Sequence, residues 1–216
     1  MEVLYSNKDY KLNLYKQNTT IISTDDKDSM FILNELRNKG YDYVSVFDSF
    51  STDSVEKELS IFNEQEKFLN LFGFISIKDK AIKNLSMEER AIIKIILELS
   101  KNKDLLIFYD VLTYLNKETK DKVIKYIKRE GKTFINVTSN EEEFIINEYM
   151  IVLNNKMVAL EGPCYLVIEQ EKLLKRLGFS LPFIIDISLQ LRDYGLINNI
   201  YSDYESLVGD LWKNKN

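Results

Sequence analysis

Apolar and polar residues alternate at the start of the chain, at Val3 and Tyr5 and again at Leu12 and Leu14, a period of two that predicts short strands. The β-branched run Thr19-Thr20-Ile21-Ile22 reads as a further strand. After the polar stretch Ser23 to Asp28 the spacing changes: Ser29 to Lys39 is apolar at Met30, Leu33 and Leu36, which predicts a helix closed by Gly40. Tyr43 to Phe47 reads as a strand, and Val55 to Leu71 as a helix with Val55, Leu59, Phe62, Phe68 and Leu69 on its apolar positions, ended by Gly73. Leu85 to Ser100 is apolar on most sides, the pattern of a deeply buried helix. Leu105-Leu106-Ile107-Phe108-Tyr109 then reads as a core strand of a parallel sheet. Lys117 to Glu130 is an amphipathic helix stopped by Gly131, and Lys132 to Val137 a buried strand. Strands alternating with helices predict an α/β domain with a mainly parallel sheet flanked by helices. Met150 to Leu153 and Met157 to Leu160 flank Asn154-Asn155, a hairpin signature. From Glu169 through Trp212 the pattern is helical, and a soft boundary near Gly162 separates residues 1–162 from 163–216.

Composition narrows the function classes. A chain of 216 residues, 45% hydrophobic and 29% charged, can bury one sizeable core, and seven Gly and two Pro leave no linker-like stretch. A net charge of −5 argues against broad nucleic-acid binding, so no nucleic-acid partner is expected. Cys164 is the sole cysteine, which excludes an intramolecular disulfide and a thiolate metal cluster and fits a reducing compartment. Histidine is absent, so any proton transfer falls to carboxylates, Lys or Tyr. The longest apolar runs fall far short of the roughly 20 residues that span a bilayer, and MEVLYSNKDYKLN lacks a signal-peptide core. The expected location is cytoplasmic, peripheral at a membrane only through partner subunits.

Several segments in order resemble the ATP-binding domain of ABC transporters. Phe68-Leu69-Asn70-Leu71-Phe72-Gly73-Phe74 followed by Leu85-Ser86-Met87-Glu88-Glu89-Arg90 looks like the family's approach to its LSGGQ-type signature. Gly131 to Asn140 is similar to the strand and switch GKTVIIVTHD, and Ile151 to Pro163 to the hairpin VLxxGKIVxEGxP. Leu173 to Pro182, Tyr204 to Leu207 and Leu211-Trp212 look like the C-terminal segment of energy-coupling factor (ECF) transporter ATPase subunits. The resemblance covers about three-quarters of the chain. It implies a P-loop NTPase-like fold of the ABC ATPase type, with a helical subdomain shortened to about residues 50–84 and an ECF-type helical segment at 163–216.

Residue by residue, the resemblance also implies damage. A P-loop uses glycines to turn backbone N–H groups toward phosphates, a Lys for the β/γ oxygens and a Ser/Thr for Mg²⁺. The corresponding stretch here is Ser23-Thr24-Asp25-Asp26-Lys27-Asp28-Ser29-Met30, without glycine, and the essential Lys falls on Ser29 or Met30. Three aspartates stand where a polyanion would sit, and they suit equally a helix-capping turn. At the Walker B strand, spacing to Leu115-Asn116 puts Tyr109 at the Mg²⁺-binding Asp and Asp110 at the catalytic Glu; a shift by one makes Asp110 the metal ligand and Val111 the base position. The signature keeps Ser86 but has Met87 and Glu88 for its glycines, and Ser86 with Glu89 reads equally as a capping box. Ser139 takes the switch histidine position and Asp48 that of the Q-loop glutamine.

The expectation is therefore a catalytically degenerate ABC/ECF ATPase-like subunit, with no cofactor of its own, forming a homo- or heterodimer with an ATPase subunit and meeting a membrane transporter subunit. Two alternatives stand beside it: a divergent but active ATPase using ATP and Mg²⁺ with Asp110 as base, and a soluble regulatory or self-associating module.

Overall fold

The computed structural model describes residues 3–60, 62, 64–144 and 146–213. Among these, β1 (Val3–Asn7) and β2 (Leu12–Tyr15) form an antiparallel pair. The main sheet contains β3 (Thr19–Ile22), β4 (Val44–Ser45), β5 (Leu105–Tyr109), β6 (Thr133–Thr138), β7 (Tyr149–Asn154) and β8 (Met157–Pro163) in the order β4-β5-β6-β3-β7-β8. All neighbours run parallel except β8, which returns antiparallel along β7. The sheet is thus mainly parallel, and β3 is buried at every position, as a strand covered on both faces requires.

Helices α1 (Asp26–Asn38), α2 (Val55–Leu59), α3 (Gln65–Phe72), α4 (Met87–Ser100) and α5 (Lys117–Arg129) make the crossovers, and α6 (Cys164–Ile168), α7 (Glu171–Arg176), α8 (Phe183–Asp193) and α9 (Tyr204–Lys213) follow the hairpin. Because strand side chains alternate faces, register sorts the core. Leu106, Phe108 and Phe134 point toward α2 to α5, while Ile107, Ile135 and Val137 point to the opposite face with Ile21 and Ile151, against α1 and β1–β2. Ile22, Met150 and Val152 share the first face but pack on α6 to α9. The C-terminal segment therefore has its core on the sheet itself. Between its cluster and that of α2 to α5 lies a polar seam of buried Thr20, Asn136 and Thr138, which face the same side as Phe108 and Met150.

Several elements differ from the expectation. The stretch Ser23 to Met30 is loop only as far as Asp25: Asp25 caps α1 by accepting the Lys27 N–H at 2.8 Å, and Asp26 to Met30 are helical. The strand expected at Tyr43 to Phe47 is reduced to Val44–Ser45, because Asp48 Oδ2 takes the Ser45 N–H at 2.8 Å and Ser45 Oγ takes that of Phe47 at 3.3 Å, curling the chain off the sheet edge. The helix expected over Val55 to Leu71 is two helices; positions 61 and 63 between them lie outside the described residues. Glu58, buried on the first, turns back to accept from the Ser51 and Thr52 N–H groups at 3.1 and 2.8 Å. Gly73 closes α3 at φ 88°, a left-handed cap that lets the Phe74 N–H reach Leu69 O at 2.7 Å.

Candidate functional site

In an open α/β sheet, ligands bind at the carboxyl ends of the strands. Here that edge gathers the β3–α1 connection, Tyr109 at the end of β5 with Asp110 after it, and Thr138 at the end of β6 with Ser139 after it.

The connection from Ile22 to Asp26 is three residues long, Ser23-Thr24-Asp25. A G-x-x-x-x-G-K-[ST] loop needs about six residues before its lysine to encircle a phosphate with inward N–H groups. Most of the N–H groups here are already committed. Ser23 N–H goes to Thr138 O at 3.3 Å, Asp25 N–H to Ser23 Oγ at 3.1 Å, and Lys27 N–H to Asp25 Oδ1 at 2.8 Å. Asp28 and Ser29 N–H both go to Asp25 O, at 2.9 and 3.4 Å. Thr24 Oγ1 donates to Leu177 O at 3.5 Å, which fastens the connection to the segment after α7.

Asp26-Lys27-Asp28 form the first turn of α1, so the eight residues read against G-x-x-x-x-G-K-[ST] are helical from the fourth onward. Lys27 and Met30 are exposed, whereas Ser29 is buried and its hydroxyl has no partner. Asp28 is 3% exposed; its Oδ2 accepts from Ser23 Oγ at 3.1 Å and its Oδ1 from the Lys156 N–H in the β7–β8 turn at 2.8 Å.

Asp110 lies just beyond β5 with a left-handed backbone, φ 52°, uncommon for a non-glycine residue. Its N–H donates to Val137 O at 3.0 Å, and its Oδ1 accepts from Thr138 Oγ1 at 2.8 Å and from the Ser139 N–H at 3.4 Å. Burial pushes its carboxyl above the ordinary range; the two hydrogen bonds oppose this, and the charges of Glu143 and Asp26 add to it. Tyr109 is half-buried, its phenol raised first by burial and then by Asp110 and Asp26. Ser23, Asp26, Tyr109, Asp110 and Ser139 are thus brought together.

The signature and Q-loop positions are held by other contacts. Ser86 Oγ accepts the Glu89 N–H at 3.2 Å while Glu89 Oε2 accepts the Ser86 N–H at 2.9 Å, a complete capping box at the start of α4. Met87 packs on the core, and Glu88 Oε1 accepts from the N–H and side-chain amide of Asn116. Asp48 is occupied by Ser45. Sequence reasoning missed the Asp28–Lys156 and Glu88–Asn116 ties, since neither pairing leaves a trace in spacing. It also missed buried Glu143, which accepts from Lys120 Nζ at 2.9 Å and Asn136 Nδ2 at 2.6 Å beneath the seam. Among the described residues no group of three or more His, Cys, Asp and Glu is placed to hold a metal ion.

Known structures share this fold. CbiO1 of Clostridium perfringens, part of the ABC transporter complex CbiONQ, superposes with a TM-score of 0.56 at 16% identity, covering 82% of this chain and 92% of that one. The dimeric ATP-binding cassette MJ0796, bound to ADP and Pi, superposes at 0.54 with 16% identity over 76% of this chain and 95% of its own. This is the fold of an ABC-transporter ATPase cassette. The sequence agrees: an energy-coupling factor transporter ATP-binding protein, EcfA1 of Mesomycoplasma hyopneumoniae, is 28% identical over 144 residues, 65% of this chain and 52% of that protein. The chain spans about half the length of the curated relatives it matches. No protein-family model matches it. The described residues contain no helix long and apolar enough to cross a membrane.

Proposed function

We propose that the chain is a catalytically degenerate ATPase-like subunit of an ABC or ECF transporter, which pairs with a second ATPase subunit and contributes structure or regulation in place of hydrolysis. The observation that carries this reading is the three-residue β3–α1 connection, whose N–H groups are largely spent inside the protein and whose helix start holds Asp26 and Asp28. Phosphates meeting such a site find few free donors and the negative charge of Asp26 and Asp28, in the place where a cassette needs the reverse. In the pair, the partner's P-loop still binds ATP and faces this chain's Ser86-Met87-Glu88, so at most one composite site is competent.

Calorimetric titration of the folded chain with Mg²⁺-ATP tests this: no binding is expected at micromolar nucleotide, and a saturable isotherm there sinks it. Co-purification from the source cell should bring down an ATPase subunit and a membrane subunit; recovery of neither favours the soluble-module alternative.

One observation favours a second reading, an active but divergent ATPase. Asp110 stands at the carboxyl end of β5 with a raised carboxyl and a left-handed backbone, as a general base could. Purified chain that hydrolyses ATP, and loses this activity on Asp110→Asn, would establish it.

A further inference from the structure

We propose that Asp28 is a built-in anion that fastens the β7–β8 turn onto the start of α1, giving this end of the fold the negative charge that a bound phosphate gives a P-loop. The inference rests on the reading of the site as one that takes no nucleotide.

Two observations converge on it. The first is a carboxylate that is 3% exposed at the N-terminal turn of a 13-residue helix, with each oxygen engaged, by Ser23 Oγ and by the Lys156 N–H. The positive end of a helix favours negative charge, and a side chain fixed there supplies it permanently. The second is the turn. Asn155 and Lys156 are its two central residues, at φ 51° and 64°, a type of hairpin loop in which the second position is ordinarily Gly. A lysine held left-handed is strained, and such strain persists where the surroundings fix the backbone. The N–H of that same lysine is the one bonded to Asp28, and its ammonium lies over the Phe31 ring on α1, 5.5 Å from the centroid. Helix, connection and hairpin are thereby joined through one carboxylate.

The test uses Asp28→Ala, Asp28→Asn and inorganic phosphate. Asp28→Ala should lower Tm by about 4–8 °C. Millimolar phosphate should recover part of that loss while chloride at equal ionic strength does not, and the parent chain should be indifferent to phosphate. Should the alanine variant fail to fold, Asp28→Asn keeps an oxygen but not the charge, and amide exchange at Lys156 should quicken roughly fivefold or more. An unchanged Tm, a loss that phosphate does not mend, a parent chain that phosphate stabilises equally, or an unchanged Lys156 exchange rate in Asp28→Asn each overturns the proposal. Nucleotide binding by the parent chain would instead defeat the pseudo-ATPase reading, and it is measured separately.

Discussion

The carboxylate of Glu88 accepts two hydrogen bonds from Asn116, at 3.0 Å from the backbone N–H and 2.6 Å from the side-chain amide. Asn116 in turn caps α5 by accepting the Thr119 N–H at 2.9 Å. One side chain in the first turn of α4 therefore orients the start of α5. Glu88→Ala should destabilise the fold by about 1–2 kcal/mol, with Glu88→Gln costing less because one acceptor survives. Urea unfolding followed by circular dichroism measures it, and identical midpoints for parent and alanine variant would refute the role.

Buried and exposed ion pairs should separate sharply. Lys120→Met strands the carboxylate of Glu143, which is 0% exposed, and should cost about 3 kcal/mol or more. Lys122→Ala removes only a surface pair with Glu118 and should leave the unfolding midpoint in place. Equal effects from the two would show that the seam is not a tightly coupled region.

Asp110 predicts a pH slope. Its folded carboxyl sits above the ordinary value of 3.8, so the native state holds the proton more tightly than the unfolded chain. The stability this contributes is complete below 3.8 and is lost as pH rises through the higher folded value. Asp110→Asn should flatten that part of the stability curve and be the more stable chain above it. Urea midpoints taken across the acid range decide the matter, and a variant as pH-sensitive as the parent contradicts it.

Burial pushes the Cys164 thiol up to about 11, and its Sγ donates to Phe144 O at 2.9 Å. The native chain should react with a thiol reagent at mildly alkaline pH only as fast as it opens, with a large acceleration in denaturant. Prompt labelling of the folded protein would contradict the buried placement.

Elements whose residues repeat with a clear period were legible in the sequence. Leu105–Tyr109 is a strand over the expected residues, α5 runs from Lys117 nearly to Gly131, and Ser86 with Glu89 does form the capping box. Where polar residues begin a helix, periodicity is silent. Asp26 to Asp28 read as loop because the first turn of α1 is built from the acidic residues that a helix N-terminus favours, so the shortness of the connection became visible only in three dimensions. The hairpin was legible, but its central pair is Asn155-Lys156 and not Asn154-Asn155, since nothing local announces a lysine in a left-handed turn. Glu58 and Asp48 interrupt elements by folding back on backbone N–H groups a few residues away, a choice that hydrophobic spacing does not record.

The length of the β3–α1 connection also sets what sequence change could accomplish. A fully extended residue spans at most about 3.5 Å, so the three positions that α1 takes up, Asp26 to Asp28, withdraw roughly 10 Å of reach from the connection. Exchanging aspartates for glycines would alter its charge and freedom but add no contour. Under the proposed reading, restoring a phosphate loop would require either an insertion or substitutions that unwind the first turn of α1.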